Sequence, residues 1–345
     1  MPVSRPHNGM RTLMPSPAVF PNPVFIAGSA AAFGAHTVPS EEIDRLFSME
    51  IGKLRKRAGL LTVSQAALSE TELTLGASAA NEALSNSGVA RESLDWILAT
   101  SETYRSFPSL AAELHSILNL KDSCGAMDVG GACLGVLQSL AVAQALLKSG
   151  AAKTVLVVTA DLHSRLLAPG RVHGEFGGLF GDGASAFVLQ GTVPNEHGSL
   201  YRLGDFFFGC ASQYAHAIQL RDLPGVEFEV VFDGEALSRA AINKMVQIIE
   251  EVESRNGFSR KDAFGFATHQ PNPRLVTLLA KQLGVPVNLF PSVAETHGNL
   301  GSSTCGAALH ELLRTTSSSE MATRKPIFLA SLGPGLLFGG GCLVR

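Results

Sequence analysis

The apolar residues of this chain come in short uninterrupted runs, separated by stretches of amphipathic character. Residues 155–158 (VLVV) and 327–330 (IFLA) are examples. Short runs of this kind are typical of strands buried on both faces, as in a sheet covered by helices. No stretch reaches the roughly 18 uninterrupted apolar residues that a membrane span requires. The pattern predicts an α/β protein that makes no use of a membrane.

The order of these elements repeats along the chain after about 170 residues. In each copy a buried strand ends in polar residues, a proline marks the start of a helix, and a small-residue turn leads into a second helix and strand. The matching segments are 95–101 and 264–269 (strand), the helices ending near Leu118 and Leu283, 127–133 and 293–303 (turn), the helices running through Leu147 and Leu313, and 153–159 and 325–331 (strand).

The repeat predicts two stacked halves that form a five-layer α-β-α-β-α sandwich. We assign residues 1–22, which are rich in Pro, Ser and Asn, to a loose tail without the apolar segment of a secretory signal. Residues 23–194 form the predicted N-terminal half and residues 195–345 the C-terminal half. The alternative is the vague self-similarity that any α/β protein shows.

Composition narrows the possible functions. The net charge is −3 and only 17% of the residues are charged, so the basic bias of a nucleic-acid-binding protein is absent. The five cysteines are odd in number and none has CxxC spacing, which argues against a disulfide framework and a zinc site. These features indicate a reducing cytoplasmic compartment, free thiols and no metal.

Cys133 is the first candidate for chemistry. It follows Gly130, Gly131 and Ala132 at a turn between a predicted strand and a predicted helix. A thiol in the first turn of a helix gains from the helix dipole, which predicts a lowered pKa and a nucleophilic thiolate. Its own backbone N–H could donate to a developing oxyanion. The alternative is a cysteine that only packs in the core.

His269 and Asn299 are the other two candidates. His269 ends a buried strand before two prolines, where an imidazole can donate to a carbonyl oxygen or accept a proton. Asn299 occupies the turn that corresponds in the repeat to the turn of Cys133, where its amide could share an oxyanion or enolate with His269. Without that context, His269 is one of ten histidines and Asn299 an ordinary turn residue.

Three glycine-rich segments indicate turns rather than cofactor sites. Residues 181–184 (GDGA) predict a tight turn, but no Lys-Ser/Thr pair or dinucleotide-binding spacing follows, so no cofactor is expected. Residues 333–335 (GPG) and 339–341 (GGG) bracket a predicted strand. Backbone at Gly335 could close over the reacting carbon, the alternative being a glycine-rich hairpin.

Together these residues resemble the β-ketoacyl-acyl-carrier-protein synthase III family of the thiolase superfamily. The resemblance runs from about Val24 to the C-terminus. Cys133 falls at the family's nucleophile, and His269 and Asn299 fall at its catalytic histidine and asparagine. Further matching segments are 57–60 (RAGL), 107–109 (FPS) and 180–184 (FGDGA).

The resemblance implies an acyltransferase of thiolase-like fold. Cys133 would accept an acyl group from an acyl-carrier-protein or CoA thioester, and His269 with Asn299 would stabilise the enolate formed as a malonyl thioester loses carbon dioxide. Phe107 would reach across a homodimer into the partner's acyl pocket. Arg274 would help to dock the carrier protein.

Departures from the family pattern indicate a specialised member, in polyketide- or fatty-acid-type natural-product biosynthesis. Residues 48–52 (SMEIG) lack the tryptophan that stacks on CoA, which favours carrier-protein donors, and residues 298–300 read GNL where the family has GNT. The alternative function is acyl transfer without condensation, to another carrier protein or to a hydroxyl or sugar. A non-catalytic scaffold is a third hypothesis, which predicts no acylation of Cys133.

Overall fold

A computed structural model describes residues 23–192, 201–214, 218–223, 226–232, 234–315 and 325–345. The predicted tail at 1–22 and the predicted boundary between residues 194 and 195 lie outside the described residues. Among the helices in the described ranges, none has the length and apolar character needed to cross a bilayer.

The strands are β1 (Phe25–Phe33), β2 (His36–Pro39), β3 (Thr62–Gln65), β4 (Trp96–Thr100), β5 (Gly125–Asp128), β6 (Thr154–Leu162), β7 (Asp182–Gln190), β8 (Arg202–Leu203), β9 (Phe207–Cys210), β10 (Ile218–Leu223), β11 (Val226–Phe232), β12 (Gly265–Thr268), β13 (Ile327–Gly333) and β14 (Leu337–Val344). The predicted apolar runs at 155–158 and 327–330 lie in β6 and β13.

The helices occupy the amphipathic stretches between them. They are α1 (Ser40–Leu46), α2 (Lys53–Ala58), α3 (Glu72–Ser87), α4 (Leu110–Ile117), α5 (Gly135–Lys148), α6 (His163–Leu166), α7 (Gly174–Gly177), α8 (Gly234–Asn256), α9 (Pro273–Leu283), α10 (Val293–His297) and α11 (Ser303–Thr315).

The main sheet shows the predicted duplication in its strand pairing. In the N-terminal half β4 is parallel to β6, β6 is antiparallel to β7, and β7 is antiparallel to β1. In the C-terminal half β12 is parallel to β13, β13 is antiparallel to β14, and β14 is antiparallel to β8 and β9. The hydrogen bonding continues from one half to the other because β8 pairs with both β1 and β14.

Side chains on alternate positions of the strands separate the layers, as the pleat requires. Val155 and Val157 of β6 pack in a central cluster with α5 and α11, together with Ile327 and Leu329 of β13. The intervening residues of β6 and β7 face α3 and α4, and those of β13 and β14 face α8 and α9. Two helices thus lie between the strands of the two halves, and the predicted five-layer order is confirmed.

Three local predictions are corrected. Residues 293–297, which the repeat places at the start of the turn 293–303, form helix α10, so the turn begins only after it. Residues 182–184 already belong to β7 rather than to a turn before it. Gly339, Gly340 and Gly341 lie inside β14, where added Cβ atoms would approach Phe208, Ile248 and Phe206 to 2.4–2.7 Å, so these glycines allow close packing rather than end the strand.

Buried polar side chains tie the two halves together beside the central helices. The Thr159 hydroxyl lies 2.7 Å from the Ser185 hydroxyl and 2.8 Å from that of Ser303, which begins α11. Nearby, one oxygen of Asp161 accepts from Glu102 N (2.6 Å) and the other from Ser302 N (3.0 Å). Asp161 therefore fixes the loop after β4 relative to the loop before α11.

Candidate active site

The turn that carries Cys133 has a backbone that only particular residues adopt. Gly131 has φ of +120°, and a Cβ there would lie 1.7 Å from Gln138 Oε1. Ala132 has φ of +50°, in the left-handed region that costs a non-glycine residue free energy. One 3₁₀ turn then leads into α5 and leaves Cys133, only 8% exposed, at the wall of a cavity. The predicted position at a helix start is confirmed.

His269 is held at the end of β12 by the neighbouring strand. Its backbone N–H donates to Ala330 O (2.9 Å). The side chain of Asn272 caps α9 by accepting from Leu275 N (3.0 Å), which fixes the exit of the chain just beyond the imidazole. The ring is buried, and among the described residues its Nδ1 has no hydrogen-bond partner.

Asn299 lies in the loop between α10 and α11, and its amide orientation follows from its hydrogen bonds. Its Oδ1 accepts from Gly301 N (3.0 Å) and from Thr304 Oγ1 (3.1 Å). Its backbone bonds to Leu179 and Gly181, which anchors the loop to the N-terminal half. Since Oδ1 is occupied, Nδ2 is the donor that Asn299 can offer to a ligand in the cavity.

The three side chains predicted from the sequence, Cys133, His269 and Asn299, line one cavity of about 200 Å³. Cys133 comes from the N-terminal half, and His269 and Asn299 come from the C-terminal half. The rest of the wall is mainly apolar: Leu166, Leu167, Phe176, Leu179, Phe180, Ala241, Leu275, Leu332 and Leu336. The arrangement suits a nucleophile, two hydrogen-bond donors and an apolar group bound next to them.

Sequence reasoning missed two polar residues of the cavity, Glu102 and His163. Glu102 lies just after β4, and its carboxylate contacts His163, with Nε2 and Oε2 3.3 Å apart. The repeat gave no direct signal for it, because residues 100–102 (TSE) correspond to residues 268–270 (THQ), which aligns Glu102 with Gln270 and not with His269. His163 follows β6 and likewise had no signal in the sequence pattern.

The two histidines of the cavity have pKa values shifted in opposite directions. Burial opposes a charge on either ring, and for His269 this lowers the pKa to about 4. For His163 the carboxylates of Glu102, Asp161 and Asp182 outweigh burial and raise the pKa to about 9. At neutral pH His269 is therefore a neutral imidazole and His163 an imidazolium.

The lowered thiol pKa predicted for Cys133 is wrong. Burial, followed by the negative charges of Glu102 and Asp161, raises the pKa of the Cys133 thiol well above its ordinary value. These effects outweigh the pKa-lowering influence of the helix terminus, because the thiol is buried and shares its cavity with negatively charged carboxylates. Cys133 therefore rests as a neutral thiol, and its proton must leave when the sulfur reacts.

The remaining predicted site residues lie outside the cavity wall. Gly335 has φ of +81° and is not among the lining residues, whereas its neighbours Gly333, Pro334 and Leu336 are. Phe107 is 96% exposed in a single chain. Arg274 is exposed at the start of α9 and donates to Lys56 O (2.8 Å). Their roles at a loop, a dimer and a carrier protein stay predictions.

The protonation states of His163 and His269 can be checked by NMR of protein labelled at histidine Cε1. We expect one resonance to titrate near pH 9 and another near pH 4, because Glu102 stabilises the charged ring of His163 and burial disfavours that of His269. The variants His163→Gln and His269→Gln assign the two signals. Titration of both near the ordinary value of about 6.5 would contradict the described charge distribution.

Comparison with known proteins gives one consistent result. The family model described as 3-oxoacyl-[acyl-carrier-protein (ACP)] synthase III matches residues 127–205, and the model of its C-terminal part matches residues 254–345. A β-ketoacyl-[acyl-carrier-protein] synthase III of Serratia proteamaculans is 29% identical over 325 residues, covering 93% of this chain and 98% of the relative.

Solved structures resemble this fold over the same extent. The 3-oxoacyl-[acyl-carrier-protein] synthase III of Aquifex aeolicus VF5 superposes with a TM-score of 0.81 at 24% identity, covering 93% of this chain and all of the other. The priming β-ketosynthase from the R1128 polyketide biosynthetic pathway has the same TM-score and identity, covering 93% and 96%. The predicted thiolase-like fold is confirmed.

Proposed function

Since the chain belongs to the β-ketoacyl-acyl-carrier-protein synthase III-like family of the thiolase superfamily, a family of condensing acyltransferases, we propose that it is a condensing enzyme working through an acyl-thioester on Cys133. The acyl group comes from an acyl-carrier-protein or CoA thioester and is condensed with a malonyl-type thioester, in fatty-acid- or polyketide-type biosynthesis. The convergence of Cys133, His269 and Asn299 on one cavity carries this proposal.

The first half-reaction forms the acyl-enzyme. The sulfur of Cys133 attacks the thioester carbonyl, the donor thiol leaves, and the thiol proton of Cys133 passes to a base. The apolar wall around Phe176, Phe180 and Leu332 receives the acyl chain. A volume of about 200 Å³ lies below the usual range for ligand pockets, which favours a short acyl group.

The second half-reaction uses His269 and Asn299 as hydrogen-bond donors. The neutral imidazole and the Asn299 Nδ2 bind the carbonyl oxygen of the malonyl thioester. Loss of carbon dioxide leaves its bonding electron pair as an enolate, whose negative oxygen these donors stabilise. The enolate carbon attacks the acyl group, the C–S bond to Cys133 breaks with its electron pair left on the sulfur, and the resulting thiolate takes a proton from solvent. The pKa of His269, lowered to about 4, keeps the ring neutral throughout.

Carrier-protein docking is assigned to the surface around Arg274. This residue is two positions from Asn272, which lines the cavity, and the Cβ position of Gly59 at the end of α2 lies 3.1 Å from Pro273. Arg274 also donates to the backbone oxygen of Lys56, so it lies beside the segment of α2 that carries the exposed Lys56 and Arg57. Three cations suit the phosphate and acidic surface of a carrier protein. A homodimer in which Phe107 contacts the partner's pocket belongs to the same proposal.

Transfer of the acyl group to a hydroxyl is the second candidate function. The observation that favours it is the carboxylate of Glu102 in the cavity, since attack by a hydroxyl requires a base. In this reaction Cys133 is acylated as before, but no carbon dioxide is released.

The test is to load the protein with a butyryl-carrier-protein thioester and add malonyl carrier protein labelled in its free carboxyl group. We expect Cys133 to gain one butyryl group by intact mass, followed by labelled carbon dioxide equivalent to the product formed. Acylation without carbon dioxide release would overturn condensation in favour of simple transfer. Failure of acylation with both carrier-protein and CoA donors would overturn both functions and favour a scaffold.

A further inference from the structure

The pair of Glu102 and His163 is the feature of the cavity that the Cys133, His269 and Asn299 set does not use. We propose that Glu102 is the general base that accepts the proton of the Cys133 thiol during acylation, and that His163 is a positioning residue that keeps Glu102 ionised. The inference rests on the proposed function of Cys133 as an acyl carrier.

The two carboxylate oxygens of Glu102 have different surroundings. Oε2 contacts His163 Nε2 at 3.3 Å, whereas Oε1 is buried and has no hydrogen-bond partner among the described residues. Glu102 and Cys133 line the same cavity, and the negative charge of Glu102 is among the causes that raise the pKa of the Cys133 thiol. A buried acceptor without a partner carries a free-energy cost, which is characteristic of groups kept for a functional reason. Here the adjacent proton donor is the nucleophile itself.

The position of Glu102 is fixed from three sides. Its backbone N–H donates to Asp161 Oδ1 (2.6 Å), which holds the loop after β4. A Cβ on Gly301 would lie 2.9 Å from Glu102 Oε1 and 2.3 Å from His163 Cε1, so the loop of Asn299 packs directly on the pair. The side chains of Glu102 and His163 are only 16% and 3% exposed. Such packing holds a base in the geometry that proton transfer needs.

The charges of Cys133, Glu102 and His163 explain why a carboxylate can act as the base in this cavity. Burial alone would protonate Glu102, but the imidazolium of His163 lowers its pKa and keeps it negative. Before the reaction the thiol is neutral, and the negative charge of Glu102 cancels the positive charge of His163. After proton transfer the sulfur is negative, Glu102 is neutral and His163 is still positive. The net charge of the three groups stays the same, which avoids placing an unbalanced charge in a water-poor site.

During acylation Glu102 accepts one proton and then returns it. The S–H bond of Cys133 breaks and its proton moves to Glu102 Oε1, while a sulfur lone pair forms the bond to the acyl carbon. The bond between that carbon and the donor sulfur then breaks, and the departing sulfur takes the electron pair. Glu102 returns its proton to this leaving group, so the carboxylate and the acyl-enzyme are left.

The experiment compares two reactions of Cys133 in the variant Glu102→Gln. The first is single-turnover acylation by butyryl-pantetheine, followed by intact mass. The second is alkylation by iodoacetamide, which requires only a thiolate. We expect acylation to slow by about 10²-fold to 10³-fold, the usual contribution of a general base. Alkylation should become several-fold faster, because the negative charge that raises the thiol pKa is gone.

Slower acylation together with faster alkylation distinguishes a general base from a structural residue. A misfolded or disordered site would change both reactions in the same direction, and that result, or unchanged acylation, overturns the proposal. Glu102→Asp should recover part of the acylation rate, since it retains a carboxylate. Glu251→Gln, which removes an exposed carboxylate on α8, is the matched control and should match the wild type in both reactions. Absence of acylation in the wild type would instead refute the proposed function.

His163 is tested through the pH profile of acylation. The groups facing Glu102 are Cys133, Asp161, His163 and His269. In the wild type Glu102 should produce no acid limb above its ordinary pKa, because His163 lowers the pKa of Glu102. A limb near pH 6 would belong to Asp161, whose pKa burial raises to about 6, and should be present in the wild type and in His163→Gln. In His163→Gln the acid limb should move upward toward neutral pH, since burial then acts on Glu102 without its cation. An unshifted acid limb contradicts the positioning role.

Discussion

Replacement of Cys133 by alanine is expected to abolish acyl-enzyme formation and to reduce overall condensation to background. The reason is that the covalent thioester divides the reaction into two steps and, among the described residues, no other cysteine and no serine, threonine or lysine lines the cavity. Intact-mass measurement after incubation with a butyryl-carrier-protein thioester should show the unmodified mass, whereas the wild-type protein gains one butyryl group.

The matched control for this variant is Cys210→Ala. Cys210 is the exposed cysteine of the chain, outside the cavity, and is the thiol most open to non-specific acylation. We expect Cys210→Ala to acylate at the wild-type rate. If Cys133→Ala still gains one acyl group and Cys210→Ala does not, the cavity is not the acylation site.

Loss of the two C-terminal donors is expected to affect the second half-reaction more than the first. His269→Ala and Asn299→Asp should each lower the rate of malonyl decarboxylation by about 10²-fold to 10³-fold, the cost of removing one donor to a developing oxyanion. Acylation of Cys133 should fall much less. Rapid quench with labelled malonyl carrier protein gives the second rate, and intact mass gives the first.

Replacing Asn299 by aspartate tests its role as a hydrogen-bond donor without removing the oxygen that holds the loop. Oδ1 accepts bonds from Gly301 N and Thr304 Oγ1 that hold the loop, and aspartate retains that oxygen while it replaces the donor Nδ2 by an acceptor. The exposed His36→Ala serves as the control for His269. Equal loss of both half-reactions in the two variants would contradict the division of roles.

The duplication explains why the site lies between the halves. Equivalent loops of the two copies, at 129–133 and 298–303, lead into the two central helices α5 and α11. One loop supplies the nucleophile and the other a hydrogen-bond donor. The strand ends at Thr100 and Thr268 are likewise equivalent, and Glu102 lies two residues after the first whereas His269 lies one residue after the second. Each copy alone holds half of the polar groups of the cavity.

The amino-acid sequence by itself determined the main repeated strands and helices and the three central candidates. The period of the apolar residues places β6 and β13, because strands buried on both faces require continuous apolar runs. The small-residue turn before Cys133 and the strand end at His269 are local features of the chain, so pattern and repeat were sufficient to select them. Their assembly in one cavity follows from the duplicated fold.

Only the tertiary structure decided which side chains of the cavity carry a charge, and that Glu102 and His163 belong to the cavity. A pKa depends on burial and on charges that are distant in sequence: His163 is 61 residues from Glu102. The helix terminus suggested a thiolate at Cys133, but burial of the sulfur, followed by the negative charges of Glu102 and Asp161, reverses the direction of that pKa shift. Local sequence fixes which groups a loop presents, whereas their protonation depends on which distant groups share the same water-poor space.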